Sequence, residues 1–319
     1  MIVTEKDSWL GMIFAVHGTT MESIWPRMAV VFFWSVLITT SAFLFPDHAY
    51  TLTMAPFTVV GLALAIFLGF RNTASYDRYW EGRKLWGCMV NVCRSFTMQI
   101  NTLIDDTVGE NNPQPSDEVQ QQRLHMVRLV ICHIHALRHR LRETDPAADL
   151  EEQLPGDQQL HHDLAQDNVP AAIADRISRQ INSAWRSGRL DAYHVPLLHS
   201  CLTEMMGIQG GCERIKSTPI PFTYSVLTHR TVFLYCMALP CGLHDTVGML
   251  TPLVVTLVAY FFLGLDAVGD EIEQPFMLDD NDLPLLQLTT MIERNVLQLS
   301  GRPDEELPEP IQPVDHILI

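Results

Sequence analysis

YTLTMAPFTVVGLALAIFLGF, Tyr50 to Phe70, carries no charge, and it runs directly into GFRNTASYDRYWEGRKLWG, Gly69 to Gly87, where Arg71, Asp77, Arg78, Glu81, Arg83 and Lys84 crowd together. An uncharged apolar run near twenty residues is long enough to cross a bilayer as a helix. The crowded stretch that follows holds too many polar and aromatic groups, Asn72, Tyr76, Tyr79 and Trp80 among them, to be only a lipid interface.

Three more blocks surround this one. Met28 to Phe45 (MAVVFFWSVLITTSAFLF) and Val247 to Leu265 (VGMLTPLVVTLVAYFFLGL) are free of Lys, Arg, Asp and Glu, whereas Val226 to Leu243 is interrupted near its start by His229 and Arg230. Four membrane spans are therefore expected. The composition agrees: 47% apolar and 18% charged residues, with a mean hydropathy of +0.10, suit a membrane protein better than a soluble domain. The alternative, central helices of a large soluble protein, would have to bury all four runs. The first block follows 27 residues and no A-x-A-like cleavage site succeeds it, which speaks against a signal peptide.

Basic residues give the orientation. The connectors Pro46 to Ala49 and His244 to Thr246 contain no Lys or Arg, while Lys6, Arg27, Arg71, Arg78, Arg83, Lys84, Arg214, Lys216 and Arg294 lie on the other side. The positive-inside rule makes that side cytoplasmic and places both termini in the cell, for a multi-pass protein of the cell (inner) membrane. The expected organisation is a cytoplasmic N-terminal segment (1–27), two spans with a cytoplasmic extension (28–95), a helical cytosolic region (96–225), two further spans (226–265) and a cytoplasmic C-terminal segment (266–319).

Within the cytosolic region, Glu118 to Arg142 and Pro170 to Arg186 have helical periodicity, the latter with Asn168 as its expected cap. Asp105 to Ser116 reads as a loop and Thr144 to Pro170 as an acidic, turn-rich connector. The tail Gly301 to Pro313 is acidic and proline-rich, so it is mobile or laid on a partner surface. Net charge is −16, from 37 acids and 21 bases, without a basic run; nucleic acid is not an expected partner. The seven cysteines contain no C-x-x-C and read as reduced, buried small hydrophobes.

On the second span, Gly61, Ala65 and Gly69 fall four apart on one stripe, with Leu62, Ile66 and Phe70 on the next. Small residues allow close helix approach, and the large ones then point together. In a symmetric oligomer with this helix at the axis, three rings of Leu, Ile and Phe make a narrow apolar throat that gates by dewetting. Ordinary helix packing produces the same spacing.

Gly69 to Gly87 closely resembles the signature of the bestrophin family in its prokaryotic branch. The likeness continues at His135 to Asp145 (HALRHRLRETD), Asn168 to Pro170, Gly211 to Tyr224 (GCERIKSTPIPFTY), His229 to Thr231 and Glu273 to Pro284 (EQPFMLDDNDLP). The resemblance implies an all-α integral membrane protein with four transmembrane helices per subunit and a helical cytosolic region, assembled as a homopentamer around one axial pore. It implies a channel for small monovalent inorganic ions whose neck is lined by Leu62, Ile66 and Phe70. Vertebrate bestrophins pass chloride and some bacterial members pass cations; the acidic net charge leans slightly towards cations.

The family's cytosolic constriction falls at Val195 or His194, beside extra residues (AYHVPLL); an exposed or helix-capping His194 is the other reading. Eukaryotic bestrophins bind calcium in an acidic belt that corresponds to Glu271, Gln274, Asp279 and Asp282. Met277 and Leu278 depart from the family pattern there, so no cofactor is expected unless calcium binds; the belt otherwise caps helices or pairs with Arg83 or Arg94. In the signature, Arg71, Asn72, Tyr76, Asp77, Arg78 and Trp80 take structural roles, as does Arg230, expected to snorkel or to pair with Asp77 or Glu81.

Two other classes remain. A membrane-bound histidine-box metalloenzyme would use some of His125, His133, His135, His139, His161, His162 and His199, with His135 and His139 sharing a helical face with Glu143. Arg138, Arg140 and Arg142 make that stretch cationic, and no second matching pair accompanies it, so no enzyme is expected. A non-conducting membrane scaffold is the second.

Overall fold

The computed structural model describes residues 18–45, 52–105, 115–314, 317 and 318. Among them every regular element is helical, apart from an isolated bridge between Val314 and Ile317. The expected loop over residues 46–49, most of that over 105–116 and the terminal segment over 1–17 lie outside the described residues.

Helix α1 spans Met21–Leu44 and α2 spans Met54–Leu103. The fifty residues of α2 carry the uncharged block and the charged signature on one continuous helix, roughly 75 Å long. Pro56 falls in its first turn, where a missing N–H costs nothing. Helices α3 (Asp117–Arg142), α4 (Ala147–Gln153), α5 (Gln158–Leu164), α6 (Val169–Arg186) and α7 (Val195–Ser217) build the polar half. Helices α8 (Phe222–Val247) and α9 (Thr251–Glu273) return to the apolar half, and α10 (Leu285–Leu299) crosses back.

Among the described residues, three continuous helical stretches are long and apolar enough to cross a membrane: Met21–Leu44, Met54–Leu103 and Phe222–Glu273. The last is folded into the α8/α9 hairpin. Its turn is displaced from the expected connector: His244, Asp245 and Thr246 stay in α8, and the chain reverses at Gly248–Leu250. Gly248 supplies the reversal because its φ of 60° with ψ of −133° is open only to a residue without Cβ. Thr251 then closes the turn by donating from Oγ1 to the Gly248 carbonyl at 2.6 Å.

Two apolar cores result. One joins α1, the first part of α2, α8 and α9 through Ile24, Val31, Leu64, Leu68, Val232, Leu239, Val255 and Leu263. The other joins the far part of α2 to α3–α7 and α10 around Trp86, Phe96, Met126, Ile134, Ile177, Met205 and Ile292. Asn168 caps α6 as expected, accepting from the Ala171 N–H at 3.2 Å.

The segment expected as a bare connector over 144–170 instead contains α4 and α5. Leu150, Leu154 and Leu160 anchor it in the core, Gly156 turns it at a φ of +73°, and Asp157 caps α5 through the Gln159 N–H. The tail packs on its own chain: Leu307 is buried, Arg294 donates to the Pro308 carbonyl, and Arg302 pairs with Glu306. Five cysteines are buried as expected, but Cys88 is exposed and Cys241 half-buried.

The small residues of the second span divide their work. Gly61 lies against Tyr235 of α8, whose hydroxyl is 2.7 Å from where a Cβ would sit, so this position closes a contact inside the chain. Gly69 faces open space. Gly242 is the tightest apolar approach, since its Cβ would meet the Phe57 ring at 2.6 and 2.7 Å. Gly242→Val is therefore expected to destabilise the apolar half by about 1–3 kcal/mol, visible as a lower melting temperature in detergent; an unchanged transition would contradict this packing.

Candidate functional site

The outward face of α2 is defined by what its opposite face buries. Leu64, Leu68, Arg71 and Ser75 point inward and are buried, while Leu62, Ile66 and Phe70 are 66%, 50% and 66% exposed. At about 100° per residue the three large apolar side chains lie within roughly 40° of one direction, about one turn apart, on the side facing away from the buried residues.

Arg71 fixes that rotation. Its guanidinium is buried and donates to Asp266 Oδ1 at 2.7 Å, binds Asp270, and lies 3.8 Å from Glu273. His229 of α8 holds Asp266 through Nδ1, and its Nε2 is 3.4 Å from Asp270. The next residue, Asn72, donates to the Leu265 carbonyl at 3.0 Å. A clamp is thus drawn from α2, α8 and α9 around one cation.

His229, Asp266 and Asp270 are also the group of possible metal ligands gathered among the described residues. The Arg71 guanidinium already supplies the positive charge these carboxylates need, so the geometry is that of an ion-pair network. The sequence carried its signal: Asp266, Asp270 and Glu273 recur at i, i+4 and i+7, one helical face. The spacing alone does not name their partner, because the basic group lies 195 residues away in the chain.

Arg78 is a second fastening. It donates to the carbonyls of Glu273 at 2.9 Å and Ile215 at 2.6 Å, and to that of Thr218, tying α2 to the ends of α7 and α9. Tyr76 and Trp80 are 55% and 50% exposed, and Asp77 is exposed as well. Asp77 has no hydrogen bond or ion pair with any described residue. Arg230 is exposed and pairs with neither Asp77 nor Glu81; Glu81 takes Arg214 instead, at 2.6 Å.

At the start of α7, His194 occupies the N-cap position without a side-chain cap bond, so the capping role is not taken up. Val195 is half-buried against the polar-half core, between exposed Tyr193 and Leu197.

The acidic belt does not close into one shell. Glu271 and Asp279 line a hollow of ≈ 450 Å³ with Glu22, Asp270 and Asp280, whereas Gln274 lines another beside Arg78 and Lys216. Glu271 Oε1 is taken by the Asn281 amide at 2.8 Å. Asp282 is buried, its Oδ2 accepts the Asp279 N–H at 2.8 Å, and its Oδ1 lacks a hydrogen-bond partner among the described residues. Burial pushes this carboxyl up to about 7, aided by the charges of Asp279 and Glu271. The expected calcium ligands thus fall in two places, Glu271 and Asp279 at one hollow and Gln274 at another. The belt's expected arginine pairs are absent among the described residues: Arg83 is exposed, and Arg94 donates to Asn295 at 2.8 Å.

Among the described residues, His135 and His139 are engaged in ion pairs. His135 binds Glu293 at 2.9 Å, with Asp149 3.5 Å from its other nitrogen, and His139 lies 2.9 Å from Asp149. Glu143 is turned away to Lys216, and the Arg138 guanidinium sits on Asp149 where a metal would stand. This cluster ties α3 to α4 and α10. Burial alone lowers His135, but Asp149 and Glu293 outweigh it and leave the imidazole above its ordinary value.

Long apolar helices fastened by a buried ion-pair clamp to a helical polar half define an α-helical membrane protein. The chain matches the family described as bacterial/fungal bestrophin protein over residues 1–298, and it belongs to that family. It is 39% identical over 303 residues to the voltage-dependent anion channel-forming protein of Ralstonia nicotianae, covering 95% of each chain. It is 34% identical over 305 residues to YneE, the protein of that description in Salmonella typhimurium, again covering 95% of each. The crystal structure of a bacterial bestrophin homologue from Klebsiella pneumoniae superposes with a TM-score of 0.80 at 33% identity, covering 88% of this chain and 99% of that one.

Two outcomes follow. Arg71→Ala leaves Asp266 buried without its counter-charge and is expected to cost about 3–5 kcal/mol, read as a collapsed melting temperature, while Arg71→Met with Asp266→Leu recovers part of it; equal stability of all three would contradict the clamp. Because the folded pKa of His135 is raised, its stabilising share is complete below its unfolded pKa of about 6.5 and is lost as pH rises through the folded value. The melting-temperature deficit of His135→Asn should accordingly be larger at low pH than at high pH, and a pH-independent deficit would overturn that linkage.

Proposed function

We propose that this chain is the subunit of a homopentameric ion channel in which Leu62, Ile66 and Phe70 of five copies form the neck of a single axial pore. The observation that carries the reading is the phase of α2: three large apolar side chains, one turn apart, stand uncovered directly opposite the buried face. Relatives named as channel-forming proteins support it. In this reading α1, the first part of α2, α8 and α9 are four spans of the inner membrane, both termini are cytoplasmic, and 96–225 with 266–319 form the cytosolic half.

An apolar neck offers no ligand to replace an ion's hydration shell. It therefore acts on small monovalent ions through its width and its wetting. No chemical turnover is needed, and none is assigned. Below the neck the polar half walls a vestibule, with Val195 and His194 at the start of α7 as its narrowest place. The acidic belt is a structural joint in this mechanism, and no step passes through calcium.

The test is single-channel recording of the purified protein in planar bilayers. Changing Leu62, Ile66 and Phe70 together to Ala widens the neck and weakens its dewetting, so conductance or open probability should rise while the oligomer keeps its size on exclusion chromatography. Unaltered currents in that variant would contradict the neck, and absence of current from the wild type would leave a non-conducting scaffold.

A further inference from the structure

We propose that Asp77 selects the sign of the conducted ion: five Asp77 carboxylates ring the cytosolic mouth of the neck and favour cations over anions. This rests on the reading of Leu62, Ile66 and Phe70 as the neck, and it adds a fixed charge to the width and wetting of that neck.

The argument starts from helical phase. At about 100° per residue, Thr73, Asp77, Trp80 and Lys84 fall within roughly 40° of the direction of Ile66, and all four are exposed. Gly82 and Trp86 continue the buried face of Leu64, Leu68, Arg71 and Ser75. Because α2 is one unbroken helix, an axis faced by the neck side chains is faced by Asp77 as well.

The remaining charges of the signature are already engaged. Arg71 lies under Asp266, Asp270 and Glu273; Arg78 is spent on three backbone carbonyls; Glu81 is paired with Arg214. Arg83 is exposed but points about 100° away from the stripe. Two charges are left along the stripe, Asp77 and Lys84. The Asp77 carboxylate has no hydrogen bond or ion pair with any described residue.

Magnitude decides which of the two dominates. Asp77 lies seven residues, about 10 Å along the helix, beyond Phe70, and Lys84 a further ~10 Å. The Debye length at physiological salt is about 8 Å, so at Phe70 the Asp77 ring acts from a little over one Debye length and the Lys84 ring from more than twice that distance, and the field of Asp77 is the stronger there. Five like charges converging on one axis add their potentials, raising the local concentration of cations and excluding anions.

The experiment is the reversal potential in bilayers under a KCl gradient. The wild type should reverse on the potassium side, Asp77→Asn should lower the cation-to-anion permeability ratio by about threefold or more, and Lys84→Gln should raise it. Wild-type protein gives a second measurement free of folding effects: its cation preference should weaken between about 0.1 and 1 M salt, as the Debye length shrinks from about 10 to 3 Å. A wild-type reversal on the chloride side, an Asp77→Asn channel with wild-type reversal, or a salt-independent preference would overturn the proposal. The neck reading fails separately, through unchanged currents in the triple alanine variant.

Discussion

The burial of Arg71 beneath Asp266, Asp270 and Glu273 determines which way α2 faces. A guanidinium taken out of water has to meet carboxylates, because an unpaired buried charge costs several kcal/mol. Here the carboxylates come from a helix almost two hundred residues later, held in turn by His229. With Arg71 pinned inward, its neighbour Phe70 and the residues one and two turns earlier are turned outward. A rotation of α2 that hid Ile66 would pull Arg71 off its partners and Leu64 and Leu68 out of the core, so electrostatics and packing together maintain the exposure of the three apolar side chains.

The same clamp sits where the two cores meet. Arg78 fastens α2 to the carbonyls at the ends of α7 and α9, and Glu273 accepts the Ile220 N–H at 2.9 Å, so the apolar hairpin is mechanically continuous with the polar half. Farther along, Glu213 gathers Arg140, Asn168 and Gln209, and Arg176 is held by Asp157 and Asp163. These buried and half-buried polar groups tie α3, α5, α6 and α7 to one another. In the proposed channel these ties would hold the charges of the vestibule in fixed positions relative to the axis.

Much of this could be read from the residues. Uncharged runs near twenty residues marked the apolar helices because lipid-compatible length and composition are local properties. The alignment of Leu62, Ile66 and Phe70 followed from helical period alone. The reversal at Gly248 was misplaced by several residues, since an apolar sequence surrounds it and only backbone conformation distinguishes it. The helices α4 and α5 were missed because their acidic, glycine-bearing stretch is held by three leucines whose burial depends on distant partners. Pairings went astray for the same reason: Arg230, Glu81 and Glu143 have several candidates in sequence, and tertiary placement gives Glu81 to Arg214 and Glu143 to Lys216.

The account stands on the side chain at position 66 facing an aqueous pathway shared by several copies. Ile66→Cys, recorded in a bilayer during exposure to a small, charged, membrane-impermeant thiol reagent, tests this directly. Stepwise and reducible block of the single-channel current is the predicted result. A current that never changes, with the thiol labelled only by lipid-soluble reagents, would put this residue in the lipid and contradict the account.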